Sequence, residues 1–550
     1  MNKIKIGLLL DSNLSNSYIL DLADWAQQQA DIEISHRILC PPASSPRKFK
    51  INKVSKDINA YLLFTTLLFK AIVSFEKIIL KFSRIHRRHF DLFDLREKIN
   101  GELTINPIIE KSCCHFSKID VERVKSLNLD LIIKCNSCAI RGEIIHASRL
   151  GIISLNNGID HIRPENFACF WESYYRMPKT AFTIHKLTDD SEIGETLISG
   201  FFSTKYFFSL NQANLLRKSM PHLKNLIKKI SISGQLPKPE INDIICKKIF
   251  QAPKFHQCMA YLFKVNFRLA TKIILHCVNI QKKWQISFVN SNWDNAILSR
   301  GISANAPKGH FWADPFVYSQ GDRTYCFVED YEYKTSRGHI SVLEIVGNSV
   351  IELGECIRES THLSFPFLFR YEESLYMCPE SSESGKIKIY RSKRFPFDWE
   401  LSSIAMENVF AADTMLFEHA GSWWMLTSID ESGSNDYCSE LYLFYSNSPL
   451  DSNWKAHPKN PIRIDSDGGR NAGLILENGK IFRLAQRQGY DQYGEGLLIY
   501  EITQLSKSIY SEKLISEIDP SFKNGILGSH HLSTTGRITA FDHKSHSFFP

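Results

Sequence analysis

The sequence predicts two folds in series: an α/β, doubly wound domain followed by an all-β, five-bladed propeller. Residues 1–205 alternate strand-like and helix-like stretches, whereas a unit made only of short strands recurs four times after residue 290. Charge divides the chain in the same way. Residues 1–285 carry a net charge of +17 and residues 286–550 carry −10, which together give the +7 of the whole 550-residue chain.

The first domain opens on Lys5 to Asp11, a buried-strand pattern, followed by a helical stretch at Tyr18 to Gln29. Further strands are expected at Leu129 to Lys134, Ile152 to Leu155, Thr180 to His185 and Thr196 to Phe201. Strands alternating with helices point to a mainly parallel sheet. No Gly-x-Gly-x-x-Gly follows the first strand, so a dinucleotide phosphate site is not expected. The most apolar stretch, Tyr61 to Phe82, is interrupted by Lys70, Glu76, Lys77 and Lys81 and reads as a buried or amphipathic helix, not a membrane span.

The run Gly151 to Gly158, with Phe170-Trp171-Glu172, Thr180 to Leu187 and Gly194 to Leu197, resembles the formyltransferase family over roughly residues 1–205. That resemblance implies transfer of a formyl group from 10-formyltetrahydrofolate to an amine, using an Asn, a His and an Asp. His and Asp manage the proton of the amine, and Asn stabilises the tetrahedral oxyanion. The family positions fall on Ser154, Asn156 and Glu192, so all three residues differ from the pattern. Asn156 cannot act as a base near neutral pH. His161, five residues downstream, is a substitute to consider, although a lone loop histidine is more often a surface residue. The domain is therefore expected to be impaired in formyl transfer or repurposed for binding. An active sugar N-formyltransferase is the alternative.

Residues 206–282 form a basic, mainly helical connector. Residues 201–285 alone carry a net charge of +13, with lysines and arginines interleaved with Leu, Ile and Phe. Such a segment either lies on an anionic membrane surface through 206–283 or bridges the domains with its lysines solvated. No nucleic-acid recognition motif accompanies it, and no nucleic-acid partner is expected.

The propeller is assigned to residues 283–550. Its units open at Asp314-Pro315-Phe316, Pro366-Phe367-Leu368, Asp413-Thr414-Met415 and Asn471-Ala472-Gly473. Each continues through a tight turn and two further strands. A fifth, partial unit at Ser529 to Phe541 needs another strand, and the alternating run Trp284 to Val289 is placed to supply it and close the ring. Groups at the mouths of the inner strands converge in such a ring. Asp314, Glu380 and Asp413 are the expected acids and bases, and Arg470, His530 and His531 the expected substrate contacts. Carboxylates with a guanidinium and an imidazole suit a sugar, because carboxylates can act at a glycosidic carbon while Arg holds an acidic group. The competing reading makes Asp314 and Asp413 turn formers.

Several motifs fall in order here: Phe311 to Phe316, Leu363 to Pro366, Met377 to Glu380, Asp413-Thr414, Trp423-Trp424, Ser446 to Leu450 and Ala485 to Arg487. Together they resemble the N-terminal propeller of plant glucosamine inositolphosphorylceramide transferases and bacterial relatives. The architecture is also similar to the five-bladed glycoside hydrolases, although the order of the acids differs. The resemblance implies that the glycosyltransferase of the plant proteins is a domain separate from the propeller, so glycosyl transfer is not expected of the propeller itself.

Thirteen scattered cysteines and no secretory segment read as reduced thiols in a cytoplasmic protein, with a position at the inner face of a membrane as the alternative. Cys135-x-x-Cys138 has metal-like spacing but no second pair, and no metal is expected. The combined expectation is a carbohydrate-directed protein of surface-glycan or glycolipid assembly, with a sugar nucleotide, glycan or lipid-linked sugar as partner. The alternative is a glycan-binding or scaffolding protein built from two degenerate enzyme folds.

Overall fold

The computed structural model describes residues 3–41, 56–110, 113–157, 169–189, 194–239, 252–278 and 280–548. The chain divides into two compact units, Met1–Arg268 with Ser432–Ser434, and Leu269–Glu431 with Asn435–Pro550.

The first unit is built on a seven-stranded sheet. Its order is Glu195–Ser203, Lys179–Lys186, Ile152–Asn157, Leu131–Lys134, Ile4–Leu10, Ile32–Leu39 and Gly101–Thr104. Ile4–Leu10 is buried at every position but Lys5, as expected for a strand covered on both faces and paired in parallel on both edges. The five strands from Ile152–Asn157 to Gly101–Thr104 run parallel, and the last two to be added, Lys179–Lys186 and Glu195–Ser203, are antiparallel.

Six α-helices occur among the described residues: α1 (Ser17–Gln27), α2 (Lys56–Lys81), α3 (Lys118–Lys125), α4 (Phe170–Tyr175), α5 (Phe208–Ser233) and α6 (Phe255–Cys277). Asn16 starts α1 by accepting the backbone N–H groups of Tyr18 and Ile19, and Ser117 starts α3 by accepting that of Asp120. The stretch expected as a connector is not uniform. α5 packs on the sheet through Leu223, Leu226, Ile227 and Ile230 and is a core helix of the first unit, with Lys228 bonded to Asp31 at 2.7 Å.

The cysteines also depart from the uniformly reduced expectation. Cys138 is joined to Cys114 in a disulfide, which ties the small sheet formed by Ile108–Glu110, Cys113–His115 and Ala139–Ile140. Cys138 is thereby removed from any metal pair with Cys135, whose thiol burial pushes up to about 12.

The second unit is an all-β, five-bladed propeller. Four blades are four-stranded meanders or close variants, spanning His310–Ile357, Ser364–Glu407, Ala411–Ile464 and Asp467–Ile518. The fifth blade is shared between the two ends of the propeller. Ile280–Val289 pairs antiparallel with Thr539–Phe548 in unbroken register, from Ile280 opposite Phe548 to Val289 opposite Thr539. This closure pairs every position of Thr539–Phe548 on that side, and Ile286–Phe288 pairs in turn with Ile302–Ala304. Between blades the core is aromatic and aliphatic, with Phe327, Phe365, Met377, Met415 and Leu443 fully enclosed.

Candidate functional site

The first strand of each blade from the first to the fourth carries an irregularity at its mouth. It lies between Ala313 and Phe316, Ser364 and Phe367, Ala412 and Met415, and Asn471 and Gly473. Within the first three bulges Asp314, Phe365 and Asp413 adopt φ values of 48°, 45° and 50°, in the left-handed region. That conformation costs a non-glycine residue about 1–3 kcal/mol, and it turns the side chain out of the regular pleat. The second blade's equivalent of the two aspartates is thus Phe365, one residue before the expected Pro366. Three repeat positions supply two acids and an aromatic ring.

The second strands of the blades line the same level. Glu329 lies opposite Ala313, Glu380 opposite Ser364, Ser428 opposite Ala412 and Gln486 opposite Arg470. Asp542 comes from the closing strand. Glu329, Gln486 and Asp542 are absent from the sequence-based set because inner strands alone were expected to build the mouth. Glu329 and Glu380 each lie opposite the residue that precedes a bulge, and that shared position is the signal that would have found Glu329.

Arg470 organises the acids. Its Nε donates to Asp413 Oδ2 at 2.6 Å, and its Nη2 donates to Asp413 Oδ1 at 3.1 Å and to Glu380 Oε2 at 3.0 Å. Gln486 Nε2 donates to Asp413 Oδ2 at 3.0 Å, so both oxygens of that carboxyl are engaged. The Tyr493 ring lies 5.1 Å from the guanidinium carbon. Asn471 Nδ2 holds the carbonyl of Asp413 at 2.8 Å and fixes the bulge.

Asp314 belongs to a second cluster that adjoins the first. Its Oδ2 accepts the Phe365 N–H at 3.1 Å, and its Oδ1 lies 3.7 Å from His530 Nε2. His530 Nδ1 is 2.5 Å from Asp542 Oδ2, and Asp542 also accepts the backbone N–H groups of His530 and His531. The indole of Trp284 stacks on His530 with 3.9 Å between ring centres. Asp314, His530 and Asp542 offer ligand atoms within 4.8 Å of one another, a spacing that admits a metal ion. His531 is different: its ring is enclosed against Phe316 and Phe365, and burial lowers its pKa to about 3.

Four buried carboxyl groups, Asp314, Glu329, Glu380 and Asp413, thus surround one permanent cation, and they cannot all be ionised. Burial pushes Asp314 up to about 6, with His530 opposing and Asp542 reinforcing the shift. Burial likewise drives Glu329 and Asp413 well above the usual carboxylate range, with Arg470 opposing this at both. Burial would also raise Glu380, but Arg470, together with the bond to Asp413 and the neighbouring His362, holds it below its ordinary value. Asp542 is held low despite its burial because His530 faces it. The mouth therefore contains carboxyl groups that keep a proton beside one that does not, which is the arrangement acid–base chemistry uses.

Of the positions in the first unit, Ser154 is buried on Ile152–Asn157, opposite His185 on one side and Lys134 on the other. Asn156 lies on the same strand opposite Thr183. Glu192 and His161 lie outside the described residues.

The propeller is similar in sequence to part of known proteins. Residues 272–529 match the family model described as glucosamine inositolphosphorylceramide transferase 1, N-terminal. The protein of that name from Arabidopsis thaliana is 36% identical over 208 residues, covering 37% of this chain and 27% of the plant protein. Its counterpart from Oryza sativa subsp. japonica is also 36% identical over 208 residues, covering 28% of that protein. The match thus spans little more than a quarter of the length of these relatives. Among solved structures, Zg3597, a family 117 glycoside hydrolase from Zobellia galactanivorans, is 10% identical with a TM-score of 0.32, covering 48% of this chain and 91% of its own. The catalytic domain of the Coprinopsis cinerea GH62 α-L-arabinofuranosidase is 10% identical with a TM-score of 0.30, covering 41% of this chain and 78% of its own.

Proposed function

We propose that the propeller takes the sugar portion of a glycolipid, or of a lipid-linked or nucleotide-linked precursor, at the acidic mouth around Arg470. The observation that carries this reading is the charge asymmetry of one buried cluster: Asp314 is pushed up to about 6, while Glu380 is held below its ordinary value beside Arg470. Asp314 then supplies a proton to a departing or bridging oxygen, Glu380 accepts one, and Arg470 holds a charged substituent. The name of the plant relatives, glucosamine inositolphosphorylceramide transferase 1, supports a glycolipid setting. Titration calorimetry of the full chain with sugar nucleotides, soluble glycans and glycolipids tests it. Binding that is lost in Asp314→Ala, with the thermal melt retained, is the expected result. No binding to any of the three classes overturns it.

A second reading makes the mouth a non-catalytic binding or scaffolding surface. It is favoured by Asp413, whose two oxygens are both occupied by Arg470 and Gln486. Binding without any turnover of the bound ligand would select it.

For the first unit we propose a formyltransferase-like ancestry with impaired chemistry. Five parallel strands flanked by an antiparallel pair support the doubly wound expectation, and the resemblance sets Ser154 and Asn156 at the family's Asn and His. Formyl transfer from 10-formyltetrahydrofolate to an amino sugar is expected to be negligible. Robust turnover that disappears in Asn156→Ala would restore the sugar N-formyltransferase alternative.

A further inference from the structure

α2 is buried along one side only. Phe69, Ile72, Glu76 and Leu80 face the interior of the first unit, and Glu76 is fixed there by Tyr261 Oη at 2.5 Å and the Ser209 N–H at 2.8 Å. A different face carries Leu63, Phe64, Leu67, Phe75 and Ile78, all exposed, with Phe64 at 63%, and Phe82, exposed at 86%, follows directly on the end of the helix. Their spacing keeps them on one side of a helix. A run of six large apolar groups in water is unfavourable unless something covers it.

The charges around this stripe have a single sign. Lys70, Lys77 and Lys81 are exposed on α2, with Arg84, Arg87 and Arg88 just beyond its end. From Tyr61 to Phe90 the only acidic residue is Glu76, which is buried. Lys70, Lys77 and Lys81 follow one another at steps of seven and four residues, so they form a row along one edge of the apolar stripe. α6 repeats the pattern: Met259, Phe263 and Phe267 are exposed at four-residue steps, and the helix contains no acidic residue. Tyr261, on the buried side of α6, joins it to α2 through Glu76. Within the basic segment expected to meet a membrane, Lys228 is bonded to Asp31, Lys264 to the Tyr174 carbonyl, and Arg268 lies over the Tyr206 ring, so α6 contributes its exposed apolar side chains rather than these cations.

We propose that the exposed face of α2, assisted by the exposed residues of α6, docks the protein on an anionic lipid surface. The helix lies in the plane of the interface: Phe64, Leu67, Phe75, Ile78 and Phe82 enter the headgroup boundary, and the lysine row meets lipid phosphates and carboxylates. No helix among the described residues is long and apolar enough to cross a membrane. Charge complementarity selects lipid over an acidic protein, because a continuous stripe of large apolar groups beside a one-signed row of cations matches both layers of a bilayer surface. The inference is independent of the reading of the propeller mouth.

Co-sedimentation of the full chain with vesicles tests it. Vesicles of equal parts phosphatidylcholine and phosphatidylserine should bind the protein, vesicles of phosphatidylcholine alone should bind it at least about tenfold more weakly, and added salt should release it. Phe64→Glu with Ile78→Glu should weaken partitioning by at least about tenfold, as should Lys70→Glu with Lys77→Glu and Lys81→Glu. All five side chains are exposed, so circular dichroism and the thermal melt should be unchanged. Failure to sediment with the anionic vesicles, or equal sedimentation of the variants, overturns the proposal. So does a dimer in solution that the apolar-face substitutions dissolve, because the stripe would then be covered by a second copy of the chain.

Discussion

Arg470 grips Asp413 through two bonds at once, Nε to Oδ2 at 2.6 Å and Nη2 to Oδ1 at 3.1 Å, across two neighbouring blades of the propeller. The same Nη2 reaches Glu380 in a third blade. One guanidinium therefore sets the charge of the mouth. Asp413, Tyr493 and Glu380 outweigh the effect of burial and hold Arg470 well above its ordinary pKa, so it stays charged at every accessible pH.

Arg470→Ala is expected to be strongly destabilising, because it leaves buried carboxyl groups without their cation. The cost of breaking such a pair is about 3–5 kcal/mol, read as a shift in the urea midpoint. Combining it with Asp413→Asn and Glu380→Gln should recover a large part of the loss. If the single variant melts like the wild type, Arg470 does not organise the cluster.

Ligand binding at the mouth should change near pH 6, where Asp314 gives up its proton. The folded-state pKa of this carboxyl is raised, so the native state binds the proton more tightly than the unfolded chain does. Its contribution to stability is present below about pH 4 and is lost as the pH rises toward about 6. Asp314→Asn should abolish both the inflection in binding and the matching slope in stability. An inflection that persists in that variant would belong to another group.

Glu512 has the opposite sign. Arg483, fully buried, donates Nε and Nη2 to its two oxygens at 2.8 Å each, and Tyr510 Oη and Arg463 Nε add bonds at 2.7 and 3.0 Å. Burial alone would raise this carboxyl, but Arg483 and then Arg463 hold it at about 2. The stabilisation is present above the unfolded value of 4.5 and is lost as pH falls toward about 2. It amounts to about 3 kcal/mol for a shift of this size. Acid titration followed by tryptophan fluorescence should show wild type losing stability through that window. Glu512→Gln should be less stable at neutral pH and flatter below pH 4.5.

The blades were legible because each is a local event: a short apolar run, a tight turn and a second run, with separations that one sequence window contains. Asp314, Glu380, Asp413 and Arg470 could be singled out for the same reason, since each stands at a repeat position. What sequence could not show is the level at which second strands meet first strands. Gln486 and Asp542 reach the mouth through cross-strand register, and a register shift of one residue would have turned either away. The bulges had the same effect at Phe365, whose left-handed backbone makes it the counterpart of Asp314 although the visible repeat fell on Pro366. α5 was misplaced as a connector because its many lysines hide a fully buried apolar face. Cys114 and Cys138 stand 24 residues apart, and only the fold brings them together.

Ring closure is the remaining test of the architecture, and it bears on the site directly. Ile280–Val289 is the strand that pairs with Thr539–Phe548, and it also carries Trp284 onto the face of His530. A fragment beginning at residue 280 contains every strand of the five blades and should give a cooperative, β-rich thermal transition. A fragment beginning at residue 292 lacks that strand, exposes the ten backbone positions of Thr539–Phe548, and should aggregate or melt without cooperativity. Trp284→Ala in the longer fragment separates the two roles of the strand. It should leave the ring closed while removing the stack on His530, so that binding at the mouth weakens by about 0.5–1.5 kcal/mol, the range of one aromatic contact. Equal behaviour of the two fragments would mean that the ring does not depend on this strand, and the placement of His530 would then need another cause.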